Sequence, residues 1–471
     1  MGIFVPQYIA LCGVTLVIGW LVQWVYKWIN PVCNGVLPPG SMGFPVIGET
    51  LDFFKASPSL DIPDLYKVRM KRYGPIFKTS LLGQRVVIST NPEMNRFILQ
   101  QEDTLFRICL EAFHGKTHKF IRRCAHTLLG IQTLKDVLLP EMEAALRERL
   151  AAWATKPSVD VRSGAPDLLF ELVMKKCLGF DSTKSGQLRS TFDVLFTELL
   201  SFPIYFPGTS FYRCMQARKI VQKTVRDTLA ERLSAPRNKH GDLLDIIIEE
   251  LRAEETSLSE NLAVDIVSAL LFGSVFTLSG VIAVAFKSLH DNPDVVHALE
   301  QKHIISMYKN QIGYEALSEM DTLHRCIKEA IRMHTSAPVL VRKAHTKFRV
   351  HTKEGEEYDI PRGHNILVPT ALNNKLTHIY SDPHLYDPDW FGPGREEDKV
   401  GGKYSFTTFG GGRHVCPGMA LAYLQIKVIW SHLLRNFELK LISSFPKADG
   451  SKMNQEPKGK VMISYERHQL M

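Results

Sequence analysis

The stretch Phe409-Gly410-Gly411-Gly412-Arg413-His414-Val415-Cys416-Pro417-Gly418, followed at once by the apolar helical run of residues 419–434, decides how the chain is read. Three consecutive glycines let a backbone lie flat against a planar ligand, and the amides of such a loop can converge on one sulfur and tune its donor strength. Cys416 stands just before a helix start, where the positive end of the dipole favours a thiolate. An isolated cysteine is ordinarily a buried, inert thiol. The glycine loop and the helix start also suit a thiolate ligand, so both readings of Cys416 stand on these features.

Upstream of this loop the pattern is mainly helical. Helix-period stretches fall near residues 138–154, 165–178, 216–234, 242–254, 259–290 and 319–334. The last of them carries Glu329 and Arg332, spaced to share one helix face as an ion pair. Strand-like pieces lie at residues 76–81 and 85–89, alternating around Gly83, and near 339–350 and 365–369. The class is therefore mainly α with a minor β part. Residues 259–290 are apolar almost all round, which demands burial in a large protein or a membrane, and no aromatic or basic belt flanks them as a span would require. Gly273, Ser274, Ser279 and Gly280 weaken that helix and suggest close packing against it.

At the other end, residues 2–26 hold no charged side chain, and 8–25 are long enough as a helix to cross a hydrocarbon core of roughly 30 Å. Trp20, Trp24, Tyr26, Lys27 and Trp28 supply an interfacial belt and a stop. A cleaved signal peptide would need a basic start and a small-residue cleavage site, and neither is present. The organisation expected is an anchor helix over residues 3–29, a Pro/Gly linker over 30–48, where proline fixes φ, and a catalytic body over 49–471.

A chain of 471 residues, 45% hydrophobic and 23% charged, is globular, with no fixed-period repeat and no low-complexity tract. Its net charge of +8 is scattered, without a basic arm or a zinc-finger or RNA-binding signature, so no nucleic acid is expected as partner. The eight cysteines form no C-x-x-C pair and no dense framework, which fits free thiols in a reducing compartment and a body facing the cytosol.

The ten-residue loop is similar to the haem-thiolate signature of the cytochrome P-450 family, and the resemblance extends across essentially the whole chain. It implies the cytochrome P-450 fold behind an N-terminal transmembrane helix, with haem b bound in the loop through Phe409, Gly410 and the axial thiolate of Cys416. It places His118, Arg122, Arg342 and His414 around the haem propionates, as cations and hydrogen-bond donors for carboxylates. It makes Thr277 the catalytic hydroxyl on the oxygen side. It also implies molecular oxygen as co-substrate, NADPH electrons delivered by a separate flavoprotein reductase, and single-pass anchoring in the endoplasmic reticulum membrane. From Asp321 onward (DTLHRCIKEAIR, GREEDK, AYLQIKVIWSHLLRNFELKL) the chain resembles plant sterol 14α-demethylase and triterpenoid-oxidising grass relatives. Up to about residue 295 it resembles plant steroid and triterpenoid hydroxylases of the brassinosteroid-enzyme branch. Both halves imply a rigid sterol or triterpenoid substrate.

Three departures stand against the family pattern. Phe276 replaces the acid that usually precedes Thr277. Trp390, in Tyr386-Asp387-Pro388-Asp389-Trp390-Phe391, replaces the arginine that pairs with the E-x-x-R helix, so Glu329 and Arg332 are expected to lack a third partner. Between Phe106 and Gly115 the chain is shorter than relatives that carry a helix there. These keep open a haem-thiolate isomerase or dehydratase and a catalytically impaired haem-binding membrane protein, beside the monooxygenase.

Overall fold

The computed structural model describes residues 4–31, 33–53, 64–107, 114–153, 155–199, 201–235, 239–254, 256, 258–304, 313–335, 337, 339–352, 355–377, 379–400, 404, 406–441 and 462–467. The chain divides into two compact units. One comprises residues 1–55, 62–109 and 339–369; the other comprises 56–61, 110–338 and 370–471.

The first unit holds the apolar helix Phe4–Ile29, whose 26 residues span about 39 Å. It is long and apolar enough to cross a membrane, and its described side chains lie exposed except Val25 and Trp28, which are half-buried. Beyond it a five-stranded sheet is built on the expected hairpin of Ile76–Leu81 and Gln84–Ser89. Leu81 pairs with Gln84, and Leu82 and Gly83 both take positive φ in the two-residue turn. Asn365–Val368 adds in parallel, Leu340–Ala344 antiparallel beyond it, and Phe106–Arg107 completes the order. Alternation along the strands divides the apolar side chains between two cores. Ile76, Val87, Ile366 and Val368 join the Pro92–Gln100 helix residues Met94 and Ile98, while Phe77, Val86, Ile88 and Leu367 join Tyr66.

The linker is part of this unit. The Lys78 amide donates to the Pro39 carbonyl at 2.8 Å, and a Cβ on Gly40 would fall 2.0 Å from the Lys78 carbonyl oxygen, so only glycine fits there.

The second unit is helical, with a small sheet of Val159–Asp160, Phe437–Leu441 and Met462–Arg467 that the sequence pattern did not reveal. Its axis is the 32-residue helix Glu260–Asp291, capped by the Ser259 hydroxyl accepting from the Leu262 amide at 3.2 Å. Ala263, Val264, Val267 and Leu271 enter one core with the helices Val161–Leu178 and Ser210–Ser234. Val281, Ile282, Ala285 and Leu289 enter a second core with Leu139–Trp153, Asp321–Met333 and Met419–Asn436. The all-round apolar sequence is thus explained by burial in protein at both ends of the helix. Between the two cores, a Cβ on Gly273 would meet no protein atom within 4 Å.

Candidate active site

Gly410 and Gly412 both take positive φ, 77° and 68°, and turn the chain so that the Cys416 amide donates to the Phe409 carbonyl at 2.8 Å. This closes the loop on itself three residues ahead of the Met419–Asn436 helix. The Phe409 ring packs on Tyr423 from the first turn of that helix, with centroids 5.3 Å apart. Loop and helix are thereby one rigid piece.

Cys416 is exposed, whereas Cys124, Cys177, Cys214 and Cys326 of the same unit are buried. Burial pushes the Cys124 thiol up to about 11 and those of Cys177 and Cys326 to about 12, which keeps them protonated. The Cys416 sulfur is also raised by desolvation, but the Gly418 amide and the Arg122 charge oppose that rise. Metal coordination takes a thiolate and removes the proton outright.

The Gly115–Leu129 helix brings His118 and Arg122, one turn apart, to this loop. Arg122 Nη1 donates to the Val415 carbonyl at 2.8 Å, and the His118 ring lies 4.2 Å from that of His414. His114 meets His414 edge-on at 6.0 Å. An exposed thiolate candidate on a glycine loop, with a guanidinium and imidazoles beside it, fits an iron porphyrin, whose axial position takes sulfur and whose propionates take cations.

Behind the loop, Glu329 and Arg332 are fully buried and paired, Arg332 Nε and Nη2 donating to Glu329 at 2.6 and 2.8 Å. Burial raises the Glu329 carboxyl, and Arg332 opposes this. The expected gap left by Trp390 does not exist. Arg332 also donates to the carbonyls of Asn374 and Pro383 at 2.8 and 2.9 Å and of Leu385 at 3.2 Å, and the Asp387 amide donates to Glu329 at 3.0 Å. Backbone groups complete the network that an arginine was expected to complete. Asn374 Nδ2 in turn donates to the Thr408 hydroxyl at 2.7 Å, so the pair is tied to the residue next to Phe409.

Arg342 lies in the other unit, buried, with its guanidinium on Glu102. Thr277 and Phe276 lie in the Glu260–Asp291 helix, their side chains outside the described residues, as is the 108–113 segment. Sequence reading missed Tyr423, Asn374, Asp387 and Arg395. None carries a motif of its own: Tyr423, Asp387 and Arg395 lie in quoted strings without a role of their own there, and Asn374 lies in none.

Comparisons with known proteins agree with this geometry. The family model described as Cytochrome P-450 matches residues 38–463. Cytochrome P-450 87A3 of Oryza sativa subsp. japonica is 36% identical, over 92% of this chain and 87% of its own. Cucurbitadienol 11-hydroxylase of Siraitia grosvenorii is 32% identical, over 86% of this chain and 88% of its own. Obtusifoliol 14-alpha demethylase of Triticum aestivum is also 32% identical, over 92% and 99%. Among solved structures, retinoic acid-bound cyanobacterial CYP120A1 shares the fold with a TM-score of 0.80, covering 92% of this chain and 100% of its own at 22% identity.

Proposed function

The chain belongs to the cytochrome P-450 family, and from that premise we propose that it is a membrane-anchored monooxygenase that hydroxylates or demethylates a sterol or triterpenoid. The observation that carries this reading is the exposed thiol of Cys416, set in a closed glycine loop ahead of a helix, with Arg122 bound to the neighbouring Val415 carbonyl. Bound through Cys416, haem supplies the redox chemistry that activates molecular oxygen and inserts one oxygen atom into an unactivated C–H bond.

The protein's own residues do the rest. Cys416 gives the thiolate, with the Gly418 amide and the Arg122 charge stabilising its negative form. Phe409 and Gly410 shape the loop that carries it. His118, Arg122 and His414 supply the positive and donor groups that suit propionates. Thr277 is assigned the hydroxyl that relays protons, and Phe276, its neighbour in sequence, has no group that can carry one. The substrate class follows the relatives named for cucurbitadienol and obtusifoliol, both rigid polycyclic alcohols. Such a substrate costs little conformational entropy to orient, so one carbon can be held over the reacting centre. Electrons come from NADPH through a separate flavoprotein reductase. The Phe4–Ile29 helix supports single-pass anchoring in the endoplasmic reticulum membrane with the body, residues 49–471, in the cytosol.

Reconstitution with reductase, NADPH and a panel of sterols and triterpenoids tests the proposal. The expected result is a hydroxylated or demethylated product only when all three are present. Conversion of a substrate without NADPH or reductase would replace this reading with an isomerase or dehydratase.

A further inference from the structure

We infer that Arg395, acting through the ring of Trp390, holds the 386–391 segment against the buried Glu329–Arg332 pair. Trp390 is only 3% exposed, and its indole N–H has no hydrogen-bond partner among the described residues. A buried indole ordinarily finds an acceptor. The described side-chain contacts of Trp390 are made through its ring. One contact is Tyr380, edge-on with centroids 5.6 Å apart. Another is Arg395, whose Cζ lies 4.0 Å from the Trp390 ring centroid. Beyond Tyr380 lies Arg332, its Cζ 4.7 Å from the Tyr380 centroid. The order from the core outward is cation, ring, ring, cation.

The same guanidinium has a second grip. Arg395 Nη1 donates to Asp387 Oδ2 and Nε to Glu397 Oε1, both at 2.9 Å. Asp387 is the residue whose amide donates to Glu329. Arg395 thus holds both the Trp390 ring and the residue whose amide supplies Glu329 with its third hydrogen bond. A planar fork can stack on a ring and bind a carboxylate at once, which an ammonium does less well. Arg395 is a positioning residue. Its effect reaches the Cys416 loop through Arg332, Asn374 and Thr408.

The test is a double-mutant cycle on the full-length haem protein: Arg395→Gln, Trp390→Met and the double variant, with Arg395→Lys beside them. The readouts are amide hydrogen exchange at Asp387 and the rate of haem release to an apo-globin acceptor. Arg395→Gln is expected to accelerate both about fivefold, and Arg395→Lys to restore part of the loss. In the Trp390→Met background the Arg395→Gln change is expected to add less than about twofold. Equal acceleration in both backgrounds, or none in either, would overturn the inference. If Trp390→Met does not fold, Trp390→Phe keeps a ring beneath Arg395 and must preserve the Arg395→Gln effect; its loss there overturns the inference as well. The haem-release arm rests on the haem-thiolate reading. A wild-type chain that holds no haem defeats that reading, while exchange at Asp387 still decides this one.

Discussion

Arg122 reaches from the Gly115–Leu129 helix to the Val415 carbonyl, one residue before the thiolate candidate. A charged donor on a neutral carbonyl contributes about 1.5–3 kcal/mol when the alternative is an unpaired group. Arg122→Gln should therefore loosen the loop. The expected outcome is a lower melting midpoint for the haem absorption band, with Arg122→Lys partly restoring it. An unchanged midpoint would mean that Arg122 does not hold the loop once the cofactor is bound. Cys416, Arg122, His118 and His414 were legible in the sequence because each sits in a string with few alternative explanations. Arg342, named on the same grounds, is buried with its guanidinium on Glu102, a contact that sequence separation conceals.

The Asp321–Met333 helix shows how an element buries charge without leaving it unpaired. Its inner face carries Leu323, Cys326, Ile327 and Ala330 together with Glu329 and Arg332, and the two charged groups are satisfied by each other and by backbone. Removing one partner of such a pair costs about 3–5 kcal/mol, since the other is left as a buried charge. Arg332→Met should lower the unfolding free energy measured in urea by that amount and deplete haem; a loss under about 1 kcal/mol would show that the pair is dispensable. The helices were readable because apolar positions recur at helical spacing. The hairpin at residues 76–89 was readable from alternation around Gly83. The consequence of Trp390 was not, because carbonyl groups are donor targets at every position and leave no mark in the side-chain pattern. The Val159–Asp160 strand is two residues long, too short for any period to show.

At the scale of the whole molecule, the sequence sets an apolar N-terminal helix ahead of the body that follows it. Downstream of the Phe4–Ile29 helix, the Val36 and Pro39 carbonyls accept hydrogen bonds from the Asp359 and Lys78 amides, so the linker belongs to the folded body. Deleting residues 1–30 should move the protein out of the membrane fraction while its haem content is kept. Haem loss on that deletion would make the helix part of the core. The central claim is that Cys416 supplies the axial thiolate, and the most direct measurement is the ferrous–carbon monoxide spectrum of the full-length protein beside that of Cys416→Ser. The account predicts a thiolate-type band in the first and none in the second, because Cys416 is the exposed cysteine of the glycine loop while Cys124, Cys177, Cys214 and Cys326 are buried elsewhere. A Cys416→Ser protein that kept the thiolate band would contradict it.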